Sequence, residues 1–382
     1  MGGASLVKRA FQDNQSDFIF SKWTPLVILI DFLLFAPVFL FLSYSLGSLY
    51  PTLAMVEDPN PPAYEPVSLH EDAASLAEDN PAAPTGQHTS KPVTSSLRAT
   101  RRLLVSVSGF SSHFRGLIPA FFLAVSRTTL TAIIAAVPLV PQFVGTLLAS
   151  LLLASISAVW VHAVITPPTK RSFWSRRPPL RKAFEATCFP IFFHWIALTL
   201  AAYTPFLLAS AFHLPIWNPS NPGAVPSYNG SMGWKGTVIT VVELAIQFLL
   251  VVPTEVALVR VQASLLPPDE DTIIPFDRSF QGKVEPVVVG GKGFVTVRDA
   301  LATFPRASWV RLYILYAKVF AVTVLSYLLM AAIIVPELFL LISKNPNKQT
   351  PKNVWGNSGW TVHENKAPTF RASATFKPYG QH

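Results

Sequence analysis

Pro253-Thr254-Glu255-Val256-Ala257-Leu258-Val259-Arg260-Val261-Gln262 closes an apolar run that begins near Thr237, and the reading of this stretch decides the fold. The run has the character of a membrane helix. A proline there bends the axis, because it removes one backbone N–H and crowds the preceding turn. Glu255 follows two residues later, and Arg260 and Gln262 mark the expected exit into water. An acid at mid-bilayer costs roughly 2.5–3.5 kcal/mol on insertion scales and less toward a helix end, so Glu255 is expected to face a partner, a cavity or the interface.

The run is one of several. The 382 residues are 51% hydrophobic and only 13% charged, with a mean hydropathy of +0.40, too apolar for an ordinary soluble globule. About 20 apolar residues cross a hydrocarbon core of about 30 Å as a helix, which satisfies its own backbone hydrogen bonds. Such runs fall at about 24–50, 117–138, 141–166, 186–212, 236–262 and 309–342. The expected fold class is therefore all-α, a polytopic membrane protein of about six transmembrane helices. A polar lead over 1–23, a proline- and acid-rich insert over 57–92 and a polar tail over 343–382 are expected to be disordered, and the insert and tail are candidate docking segments for protein partners. Amphipathic segments are expected at 93–116 and 294–308.

The net charge of +9 acquires meaning from its placement. The segments after the first, third and fifth runs carry Arg98, Arg101, Arg102 and Arg115, then Lys170, Arg171, Arg176, Arg177, Arg181 and Lys182, then Lys283, Lys292, Arg298 and Arg306. These loops share the negative-potential side of a bilayer, with both termini opposite, and anionic lipid rather than nucleic acid is their expected partner. A single cysteine, Cys188, excludes a disulfide within the chain and reads as a small buried residue. No metal-spaced His/Cys set, phosphate-binding glycine loop or G-x-S-x-G elbow occurs, so neither catalysis nor a cofactor or metal is expected. The Asp-Glu-Asp-Thr turn at 269–272 reads as solvated.

The residues of interest are polar groups inside apolar runs. Arg127 lies near the middle of the second run and reads either as functional or as half of a buried pair. His194 in the fourth run reads as a hydrogen-bonded core residue or a proton relay. Lys318 in the sixth reads as a snorkelling side chain or a cavity base. Asp31 fits either an interface or a cavity, and Glu243 and Gln247 share one helical face. Asn229-Gly230-Ser231 is a glycosylation acceptor only if that loop faces a secretory lumen.

Proline, an acid two residues on, then a base and a glutamine at the eighth and tenth positions make a pattern that resembles the helix ends of the mitochondrial carrier family. Ser108 to Ala120, with its Phe114-Arg115-Gly116, is similar to that family's approach to the second helix of a repeat. Three Pro-Thr pairs, Pro51-Thr52, Pro168-Thr169 and Pro253-Thr254, fit a threefold repeat. The resemblance implies three two-helix repeats, termini in the intermembrane space and basic loops toward the matrix, in the inner rather than the outer mitochondrial membrane. The endoplasmic reticulum is the alternative location. In carriers a ring of acids and bases closes one side of the cavity. Here the acid positions hold Leu53, Lys170 and Glu255 and the base positions Val56, Phe173 and Leu258, so that ring cannot form and a single Lys170–Glu255 pair is expected. The stretch from Pro253 to Phe280 also resembles fungal membrane proteins often labelled ubiquitin carrier proteins, although a cysteine within an apolar run does not suit ubiquitin chemistry. Two functions follow: a transporter of a small anionic solute using Arg127, His194 and Lys318, or a carrier-derived scaffold that no longer transports.

Overall fold

The computed structural model describes residues 18–20, 22–58, 92–169, 172–214, 230–285 and 290–344. Most of the expected lead, insert and tail, together with Lys170 and Asn229, lies outside the described residues. Two compact units divide the chain, one of residues 30–332 and one of 1–29 with 333–382. In the second, β1 (Phe18–Phe20) pairs antiparallel with β2 (Ile342–Lys344), with Phe18 opposite Lys344.

Each apolar run is helical. Helix α1 spans Thr24–Val56, and after a break the short α2 (Leu97–Ser108) leads into α3 (Leu117–Ala135). Helices α4 (Gln142–Leu152) and α5 (Ala154–Ile165) are two halves of one run, bent by 62° at Leu153. Then come α6 (Leu180–Ala211), α7 (Gly233–Ser264), the short α8 (Val297–Ala302) and α9 (Arg306–Leu341). Among the described residues 5 helices are long and apolar enough to cross a membrane, or 6 if the bent pair counts as one. The chain is an integral membrane protein. Phe121 at 70% exposure, Leu207 at 67% and Phe32 at 66% are large apolar side chains that need hydrocarbon around them.

The apolar core gathers at one end of the bundle. There the C-terminal ends of α1, α5 and α7 pack on one another through Leu49, Leu53, Val161, Ile165, Val256 and Val259, with Leu312 of α9 against them. Two of these ends are built alike. In α1 a π-helical stretch over Phe41–Leu49 precedes Pro51, and in α7 one over Gln247–Val251 precedes Pro253. The threonine after each proline turns back on the helix, Thr52 Oγ1 donating to Ser48 O and Thr254 Oγ1 to Leu250 O, both at 2.8 Å. Tyr313 of α9 donates to Phe248 O at 2.8 Å, within the second π stretch. Phe248 O, five residues before a proline that has no N–H to offer it, thus finds a partner inside the protein, as a membrane requires.

The third Pro-Thr pair is not equivalent, which corrects the expectation of three like helix ends. Helix α5 stops at Ile165, so Pro168 and Thr169 lie beyond it. Prolines at 167 and 168 disfavour a helical residue ahead of them, and they end this helix instead of bending it. Its own bend, at Leu153, uses no proline.

Between α2 and α3 the chain must turn sharply. Gly116 does so at φ +73°, where an added Cβ would lie 3.1 Å from Tyr44 Oη and 3.3 Å from Val164 Cγ2. Tyr44 Oη donates to Arg115 O at the same place. Gly116→Ala is expected to cost about 1–3 kcal/mol through the left-handed backbone and the crowding. Thermal unfolding in detergent reads this as a lower melting temperature, and an unchanged one would show that the turn relaxes freely.

Candidate functional site

One end of the bundle is closed by hydrogen bonds between its helix ends. Arg260 of α7 is 6% exposed. Its Nε donates to Ala300 O at 2.9 Å, Nη1 to Met55 O at 3.2 Å and Nη2 to Thr303 Oγ1 at 3.1 Å. The guanidinium lies between the rings of Phe280 and Phe304, 4.9 and 5.2 Å from their centroids. Gln262 donates from Nε2 to Ser157 Oγ at 2.9 Å, and its backbone carbonyl accepts from His162 Nε2 at 2.8 Å. Arg260 and Gln262 therefore do not mark an exit into water, as their place at the helix end suggested. They tie α7 to α1, α5 and α8.

Water is kept away by the loop that follows. Residues 267–284 fold as a strap across the helix ends, with Ile274 and Phe280 buried beneath it at 2% and 1% exposure. Its backbone is pinned at two points, Ile273 N donating to Ile165 O and Asp58 N to Pro275 O, each at 2.9 Å. Glu270 forms a buried ion pair with Arg176 at 3.2 Å, so the acidic turn is not simply solvated. Arg278 donates to Pro267 O and Glu270 O. Asp277 accepts from Ser279 N at 2.8 Å, Ser279 Oγ at 2.6 Å and Gln281 N at 2.7 Å. Burial pushes its carboxyl up, but these bonds and the nearby Arg260 charge outweigh it and hold the group below the usual carboxylate range.

A second buried pair joins α1 to α9. Glu57 Oε2 lies 3.0 Å from Arg311 Nη1, with side chains 1% and 8% exposed. Its two oxygens also accept from the backbone N–H groups of Val93 and Thr94 at 2.6 and 3.1 Å. Glu57 is thus the anchor of the chain just before α2, although its position suggested the head of a polar insert. Glu255 accepts from Tyr316 Oη at 3.1 Å. Its expected partner Lys170 is outside the described residues.

Removing the Glu270 carboxylate should loosen the strap locally. With Glu270→Ala, chymotrypsin is expected to cut at Phe280, which is otherwise 1% exposed. Wild-type resistance in the variant would show that the apolar contacts alone hold the strap.

The polar side chains deep in the bundle gather elsewhere. Arg127 of α3 lines a groove of about 540 Å³ with Thr128, Thr131, Gln142 and Thr146, flanking the 136–141 hairpin. It also lines a smaller chamber of about 80 Å³ with Ser150, Ser157, His194, Trp195 and Leu258. Arg127 and His194, predicted separately, are thereby brought together at the α4–α5 bend. Lys318 is not with them, since its Nζ donates to Ser95 O at 3.3 Å beside α2, as a snorkelling base does.

No protein-family model, curated protein or solved structure matches this chain.

The geometry therefore carries the functional argument. Among the described residues no carboxylate lies within ion-pair distance of Arg127, whereas Arg176 and Arg311 each have one. Trp195 Nε1 donates to Phe143 O at 3.0 Å and Thr146 Oγ1 at 3.1 Å, fixing the indole as a wall of the chamber. His194 Nδ1 lies 3.2 Å from Thr254 Oγ1, which ties the chamber to the turn of α7 that follows its π-helical stretch. Such an arrangement can receive a small solute carrying negative charge.

Proposed function

We propose that the protein moves a small anionic solute across a membrane, with Arg127 as the charge that receives it. The observation that carries this reading is a base near the middle of an apolar helix, lining a cavity without an acidic partner among the described residues. A fixed charge in that setting is costly, and a mobile counter-charge offsets the cost while it is bound. No catalytic step is part of this proposal. The similarity of Pro253 to Gln262 to carrier helix ends favours an arrangement of three two-helix repeats in the inner mitochondrial membrane.

The folded strap favours a second reading, a scaffold that does not transport, because an end closed by buried apolar side chains resists opening. Counterflow of radiolabelled small anions into proteoliposomes separates the two. In the transport reading Arg127→Gln lowers flux at least tenfold while the protein inserts at normal abundance. A wild-type protein with no flux for any anion would leave the scaffold.

A further inference from the structure

We infer that the preferred solute is a small hydroxy-substituted monoanion, an inference that rests on the Arg127 site being an anion site. Hydrogen-bond accounting around the chamber carries it. Thr254 has one hydroxyl hydrogen, and it donates to Leu250 O at 2.8 Å and Val251 O at 2.9 Å. Its oxygen is therefore the acceptor for His194 Nδ1–H at 3.2 Å. That bond fixes the tautomer of the neutral ring, and Nε2 is left with a lone pair. Ser150 donates to Thr146 O at 2.7 Å, so its oxygen too offers only lone pairs to the chamber. Ser157 is the reverse case. Its oxygen accepts from Gln262 Nε2 at 2.9 Å, and its hydrogen has no acceptor among the described residues.

The chamber is thus polarised, with donors on Arg127 and Ser157 and acceptors on His194 and Ser150. A complementary solute places a carboxylate against the guanidinium and a hydroxyl hydrogen toward His194 Nε2. Arg127 is the single formal charge among the residues that line the chamber, so a monoanion is matched. A dianion would bring one negative charge without a partner into the same low-dielectric space. The small volume and the Trp195 and Leu258 walls suit a short apolar stem between the two polar groups.

Equilibrium binding to the full-length protein in nanodiscs tests the inference, using 2-hydroxypropanoate, propanoate and malonate. A site that hydrogen-bonds a substrate hydroxyl discriminates against the analogue that lacks it. 2-Hydroxypropanoate is expected to bind roughly tenfold or more tightly than propanoate and than malonate. His194→Phe should remove the preference over propanoate, and Arg127→Gln should abolish binding of all three. Equal wild-type affinities for 2-hydroxypropanoate and propanoate would overturn the hydroxyl assignment, and tighter malonate binding would overturn the monoanion assignment. In both cases, if binding depends on Arg127, the anion site itself would stand. No binding of any anion would remove that reading together with the inference. The ligand comparison in the wild type does not depend on any variant folding.

Discussion

Arg260→Ala is expected to destabilise the protein by roughly 3–5 kcal/mol, as the sum of lost hydrogen bonds to a charged group and a cavity between two rings. Met55 O, Ala300 O and Thr303 Oγ1 each lose a donor, and Phe280 and Phe304 lose the flat group between them. Arg260→Lys should recover little of this. An ammonium on a flexible stem does not stack as a guanidinium does, and it cannot reproduce three diverging donors in one plane. Thermal unfolding in detergent measures the difference, and a melting temperature equal to wild type for Arg260→Ala would contradict the proposed closure of this end.

The Glu57–Arg311 pair should be comparably sensitive. With Glu57→Ala the Arg311 guanidinium stays buried without its carboxylate, and the N–H groups of Val93 and Thr94 lose their acceptor. Removing one partner of a buried pair costs roughly 3–5 kcal/mol, whereas replacing both by apolar groups of similar volume is often much milder. The double variant Glu57→Leu with Arg311→Met is therefore expected to be more stable than Glu57→Ala. A double-mutant cycle gives the coupling directly. Additive effects would mean that the two charges do not depend on each other.

The membrane helices were legible because hydrophobic length is a one-dimensional signal. The run expected at 24–50 extends to Val56, and the run at 186–212 begins at Leu180, since the helices continue into the folded end. Arg127 and His194 were legible as polar residues in apolar surroundings, although their shared chamber depends on the bend at Leu153, which no proline announces. The strap was not legible. Glu270 and Arg176 are distant in sequence, and a run of acids and prolines reads locally as a solvated turn. Arg260 and Gln262 were misplaced for the same reason, because the loop that buries them comes later in the chain. Glu57 carried a weak clue, an acid directly at the end of a membrane helix, but its partner Arg311 sits 254 positions away.

The groove lined by Arg127 flanks the 136–141 hairpin, and the strap and its buried ties close the end of the bundle away from it. Cys188 is the only cysteine, so a Cys188→Ser background gives a clean start. Ser150→Cys then places one thiol in the chamber lining. A membrane-impermeant maleimide applied to each side of vesicles of known orientation measures its access. The expected result is labelling from the hairpin side, slowed by a bound monoanion, and protection from the strap side. Labelling from the strap side in the absence of solute would contradict it.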